Sequence, residues 1–201
     1  MKYTAAVLAL AVSASASAHP FSTDTYSLAN AVQIGDSGVS VVIILEVPVP
    51  VVLDDVKRRI SEGTSKRKAV KEHDEARFSD MAKGLTLSIN NTETPVTWRP
   101  VEHPSNGKVA EGFFLYWVGA KIPASDLDSG PVTVTVNNVA YADKKMVYTG
   151  IAEARPGWEV QSNSATEVLG VDVSTLGKTD KRAWTDDARL RTLTVTLKKT
   201  I

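Results

Sequence analysis

Residues 39–47 read Val-Ser-Val-Val-Ile-Ile-Leu-Glu-Val and are followed by Pro48 and Pro50. Side chains branched at Cβ are stiff and pack best on a pleated, buried surface. Neither proline can donate to a sheet ladder, so the strand is expected to stop there. Residues 23–34 alternate loosely and run into Ile34-Gly35-Asp36-Ser37-Gly38, a turn signal. Together these segments predict a β-hairpin whose second strand lies inside a sheet.

The chain then changes character. Residues 54–83 are rich in charge and free of proline, with Gly63-Thr64-Ser65 as a break. Two helices are predicted, over 51–61 and 65–83. The second carries a thin apolar stripe at Ala69, Val70, Ala76, Phe78 and Met81. The basic runs of the two helices, Lys57-Arg58-Arg59 and Lys66-Arg67-Lys68, are answered by Glu72, Asp74 and Glu75 and read as a solvated face.

Gly84 returns the chain to alternation. Residues 85–89 form a strand, Asn90-Asn91 a turn, and 94–101 a strand expected to pair back. Asn90-Asn91-Thr92 would accept a glycan only in a eukaryotic secretory pathway. Residues 111–122 are the most aromatic strand, with Phe113, Phe114, Tyr116 and Trp117 expected in the core and at its rim. Further strands are predicted at 131–136, 146–152, 158–161 and 190–197, whereas 162–187 reads as a long loop. About nine strands at hairpin spacing predict a mainly β domain. The expected architecture is an antiparallel, Ig-like β-sandwich with a helical pair inserted at about 51–83.

The first residues follow an export plan. Lys2 is the basic start, residues 5–12 the short apolar run, and Ala16-Ser17-Ala18 a small-residue cleavage signal. Residues 1–18 are thus expected to be a signal peptide and 19–201 a single domain, periplasmic or secreted. No later segment has the length of a transmembrane helix. Charges balance at 23 Lys and Arg against 23 Asp and Glu, which offers no electrostatic attraction for nucleic acid. There is no cysteine, so neither disulfides nor a zinc–thiolate cluster nor a cysteine nucleophile is available.

Cleavage after Ala18 makes His19 the first residue. Its free amine and imidazole Nδ1 then form a chelate ring suited to Cu(II), and less strongly to Ni(II) or Zn(II). Pro20 has no amide proton and cannot become a further amide ligand. Cleavage after Ala16 gives Ser17-Ala18-His19 instead, a square-planar set of amine, two amides and imidazole for Cu(II) or Ni(II). The other two histidines are His103, in the turn-rich stretch Val101-Glu102-His103-Pro104-Ser105-Asn106-Gly107, and His73, in Lys71-Glu72-His73-Asp74-Glu75. His103 is placed as a ligand on a protruding loop or as loop surface, with Asp24 or Glu102 as the nearby carboxylates available to join it. His73 is expected to be a solvated helix residue, with metal ligation as the alternative. No nucleophile elbow, phosphate loop or dinucleotide fingerprint is present in the sequence.

His19-Pro20-Phe21, the Thr25-Tyr26-Ser27 strand, the helical segment and Gly84-Leu85-Thr86-Leu87-Ser88-Ile89 occur in a telling order. So do Gly130-Pro131-Val132-Thr133-Val134-Thr135-Val136 and Tyr141-Ala142-Asp143-Lys144. This order resembles the periplasmic ectodomains of metal permeases of the nickel/cobalt and HupE/UreJ types, over about residues 19–165. Ser61-Glu62-Gly63-Thr64-Ser65 departs from the Asp-rich, calcium-loop-like stretch of that family, and the permease helices have no counterpart here. Transport itself is not carried over; what the resemblance implies is a periplasmic accessory or metal-handling domain. Three functions follow as expectations. One is a copper- or nickel-binding accessory protein using His19, serving metal uptake. Another is an interaction module that docks on a membrane permease or another periplasmic protein. The third is a histidine-brace copper oxidase or monooxygenase, which requires a second histidine beside His19.

Overall fold

The computed structural model describes residues 24–110, 112–127, 130–176 and 180–200. The predicted signal peptide, its cleavage sites and His19 lie outside these residues.

Strands β1 (Tyr26–Gly35) and β2 (Gly38–Pro48) form the expected hairpin around Asp36 and Ser37. Pro48 closes β2, and α1 (Val49–Ser61) begins at once with Pro50 in its first turn. Proline is well placed there, because the first N–H groups of a helix have no intrahelical acceptor. Helix α2 (Lys66–Lys83) follows the break at Gly63, whose φ is +94°. Next come β3 (Leu85–Ile89), β4 (Thr92–Glu93), β5 (Arg99–Pro100), β6 (Lys108–Ala110) and β7 (Phe113–Pro123). The chain ends through β8 (Val132–Asn138), β9 (Met146–Ala154), β10 (Trp158–Asn163), α3 (Ser164–Leu169) and β11 (Thr192–Lys199).

The described residues form a mainly β domain with two sheets and three α-helices. One sheet has the order β5-β7-β2-β1-β9, with β6 also on β7, and the other β10-β11-β8-β3-β4. A single apolar cluster draws Leu28, Val41, Ile43 and Leu45 from the first sheet and Leu87, Val134, Val136 and Val195 from the second. Val52 of α1 and Met81 of α2 join it. The opposite face of the first sheet carries a smaller cluster, in which Ala29, Ala31, Val42, Ile44, Leu115 and Trp117 are buried. Residues 39–47 are therefore buried on both faces, as their composition predicts. Among the described residues no helix is long and apolar enough to cross a membrane.

Three expectations are corrected. Pairing is not antiparallel throughout: β1 lies parallel to β9, from Tyr26 opposite Met146 to Ile34 opposite Ala154. Local alternation predicts strands but carries no information on partners distant in sequence. Residues 94–101 do not form one strand that pairs back on 85–89. The short β4, just before this stretch, pairs with β3, while β5 within it pairs with β7 in the other sheet. Pro95 and Pro100 offer no ladder donor, so the segment crosses between sheets instead of continuing in one. The loop expected over 162–187 contains α3, with Asn163 accepting from the Ala165 N–H at its start and Gly170 in the left-handed region at its end (φ +69°). Six residues are too few for a periodic signal, so the caps were the legible part.

Candidate functional site

The densest polar chemistry among the described residues sits between α1, α2 and β7. It is built from the spacing of α2. Ala69, His73 and Met81 are buried, whereas Val70 is 41 % exposed. The buried face therefore runs through 69 and 73, at i and i+4, and not through the apolar residue at 70. This turns His73 inward, to 1 % exposure, against the solvated position expected for it.

His73 meets Asp55 of α1, with Nδ1 2.6 Å from Oδ2. Asp55 also accepts from Arg59 Nε at 2.9 Å and Arg58 at 2.6 Å, and Arg59 reaches Glu72 at 3.7 Å. One carboxylate thus ties two turns of α1 to the centre of α2. Burial pushes the Asp55 carboxyl up, but hydrogen bonds from His73, Arg59 and Arg58 outweigh it and hold the group well below the usual carboxylate range. The Nε2 atom of His73 is buried and has no hydrogen-bond partner among the described residues. The imidazole faces Tyr116 of β7, with ring centroids 6.2 Å apart, and Phe78 meets Tyr116 edge-on at 5.6 Å.

Tyr116 is itself fully buried and donates its hydroxyl to Asp74 Oδ1 at 3.2 Å. Burial, and then the Asp74 charge, raise the ionisation of Tyr116 far above that of a free phenol. Asp74 is also raised, chiefly by burial. The cluster continues from α2 to Arg77, whose guanidinium lies over the ring of Tyr141.

His103 sits on the other face of the same sheet. Its ring stacks on Trp117 at 4.0 Å between centroids and 10° between planes. Its Nδ1 accepts from the Ser105 N–H at 3.2 Å. That contact favours the tautomer protonated on Nε2, so ligation through Nε2 requires His103 to give the contact up. Asn106 fixes the loop by donating to the Val101 and Trp117 carbonyls and accepting from the Trp117 N–H.

The three predicted histidines therefore divide. His73 is committed to an interhelical hydrogen bond with Asp55, His103 is stacked on the outside of the sheet, and His19 lies outside the described residues. Among the described residues, no group of three or more His, Asp or Glu side chains comes together in a way that could hold a metal ion. Asp24, named beside His103 as a carboxylate, lies 3.6 Å from the Lys145 ammonium.

Asp55 and Arg77 were not singled out from the sequence, and Tyr141 entered only as part of the segment that carries the resemblance. The i, i+4 register of Ala69 and His73 was the available signal for the first, because it places His73 on the face that meets α1. Nothing local announces Arg77 or Tyr141, since their meeting depends on how the turn after β8 folds against α2. No protein-family model matches the chain, and no curated protein matches it either.

Proposed function

We propose that this protein is an exported, periplasmic accessory domain that binds copper or nickel through His19 at its mature amino terminus. The observation that carries this reading is the engagement of the other two histidines. His73 is enclosed and paired with Asp55, and His103 is stacked and hydrogen-bonded. A terminal histidine brings its own second ligand, the amine, and needs no preformed cluster in the domain.

Anchoring favours the same reading. Thr25 is 3 % exposed, and the Tyr26 N–H donates to the Lys145 carbonyl at 3.0 Å. Six residues from His19 span at most about 20 Å. Ala29 is opposite Ile44, and Ile44 opposite Trp117, so Trp117 lies two strands and three residues from Tyr26. At about 4.8 Å per strand and 3.3 Å per residue, that is roughly 14 Å. His103, stacked on Trp117, is within reach as a second histidine ligand once it leaves Ser105. In this reading the fold is an Ig-like β-sandwich, and α1 and α2 are an insertion between β2 and β3, which belong to different sheets.

Intact mass of the exported protein gives the cleavage point, and a Cu(II) titration then tests the terminus. One equivalent is expected to bind, and His19→Ala is expected to weaken it by more than about 100-fold, roughly 2.8 kcal/mol. Stoichiometric binding that survives His19→Ala unchanged places the metal elsewhere.

A second reading, an interaction module for a membrane permease or another periplasmic protein, is favoured by Leu53, Ile60 and Val70. They are 44 %, 40 % and 41 % exposed on the helical pair. Leu53 and Ile60 are seven residues apart on one face of α1, as a docking stripe requires. Pull-down from a membrane extract that fails for Leu53→Asp/Ile60→Asp, with copper binding intact, would favour that reading over the first.

A further inference from the structure

Arg77 differs from the two arginines at the end of α1. Arg58 and Arg59 are paired with carboxylates. Arg77 is largely buried, and among the described residues no carboxylate comes within salt-bridge distance of it. Its Cζ lies 5.5 Å from the centroid of the Tyr141 ring. Tyr141 in turn stacks on Tyr26, with centroids 6.2 Å apart and planes at 29°. A guanidinium presents five N–H donors in a planar fork. Here that fork sits among phenol rings, removed from much of the water that would otherwise satisfy it.

Tyr141 supplies an independent sign. Its hydroxyl is buried and has no partner among the described residues other than the Arg77 guanidinium beside it. Its backbone is in the left-handed region, with φ at +54°, which a bulky aromatic residue rarely adopts. The turn is held there by Arg191, which donates to the carbonyls of Asn138, Ala140 and Tyr141 at 3.3, 3.0 and 3.3 Å. Strained backbone of this kind persists where the surroundings over-determine it, and such positions concentrate at ligand sites. The strain places a phenol donor beside a cation that has no carboxylate partner among the described residues.

We propose that Arg77 and Tyr141 form a binding site for a small oxyanion, a carboxylate or a phosphate group. The guanidinium supplies two parallel N–H donors, the geometry that matches such groups. The Tyr141 hydroxyl supplies a third donor, and the Tyr26 and Tyr141 rings form the wall. Lys144, on the same turn, is paired with Asp143 at 2.6 Å, so the two together leave the rim without net charge. The carboxylates that face the cluster are Asp74, which accepts from Tyr116, and Asp80, one turn further along α2. They limit the affinity, and a dissociation constant near the millimolar range, about −4 kcal/mol, is expected.

The test uses the full mature protein without added metal, so its outcome is independent of the terminus. The backbone amide of Tyr141 is followed by NMR while sodium phosphate, or in a second arm sodium acetate, is added at constant ionic strength against chloride. A saturable shift is expected in at least one arm and assigns the anion class. Arg77→Lys keeps the charge but not the fork, and is expected to weaken binding at least tenfold. Tyr141→Phe, which removes only the hydroxyl, is expected to weaken it severalfold. No saturation in either arm, or saturation unchanged in Arg77→Lys, overturns the proposal.

Discussion

His73→Ala is expected to lower the free energy of unfolding by about 3 kcal/mol, measured by urea denaturation at neutral pH. Two losses combine. An imidazole that is 1 % exposed leaves a cavity beside Tyr116, and Asp55 loses the partner that links α1 to α2. Glu75→Ala, on the exposed side of the same helix, is the control and should change stability by less than about 0.5 kcal/mol. The pH dependence separates the charge from the packing. The folded-state ionisation of Asp55 is depressed, because three hydrogen-bonding side chains outweigh its burial. A depressed carboxyl contributes stability that is complete above its unfolded value, about 3.9, and is lost as pH falls through the folded value. The stability gap between the wild type and Asp55→Asn should therefore narrow below about pH 4. A gap that stays constant down to pH 2 would show that ionised Asp55 is not what stabilises the pair.

Gly38→Ala is expected to cost a further-reaching 3–5 kcal/mol, roughly the sum of backbone strain and overpacking. Gly38 has φ at +109°, a conformation that an L side chain rarely adopts. A Cβ there would fall on the Ile122 carbonyl and lie 2.6 Å from the Ala124 nitrogen. Both obstacles are backbone and cannot rotate away. Gly38 also pairs with Gly35 across the hairpin and with Pro123 of β7, so the register of three central strands meets at this residue. Gly63 is the comparison: its φ is +94°, but a Cβ there meets nothing within 4 Å. Gly63→Ala should then cost only the strain, about 1 kcal/mol. Equal losses at the two positions would remove the steric argument for Gly38.

The elements themselves were largely legible. The expected helices at 51–61 and 65–83 are found at Val49–Ser61 and Lys66–Lys83, because the glycine break and the charged, proline-free run are local signals. The hairpin at 35–38 and the strand at 85–89 were legible for the same reason. What could not be read was partnership. That β1 lies beside β9, or that β5 leaves its neighbours for the other sheet, is decided by contacts far apart in sequence. The site followed the same division. His73 was visible as a candidate, but its charged surroundings suggested solvent. The deciding fact was that Asp55 approaches it from another helix. Arg77 and Tyr141 each look ordinary in the sequence, and only their juxtaposition gives them a role.

The parallel pairing of β1 with β9 also bears on how the chain is made. A ribosome releases the hairpin of β1 and β2 early, but Tyr26 must wait for Met146 before the second edge of β1 is covered. Gln33 likewise finds Glu153 across 120 residues. During that interval the first strand presents a row of open N–H and C=O groups beside strongly apolar residues, a surface that invites pairing with other chains. Closing so long a loop also slows completion of the sheet. A chain that cannot finish its central sheet until three-quarters of it has emerged stays threadable for that long, and needs protection from its own kind for the same length of time.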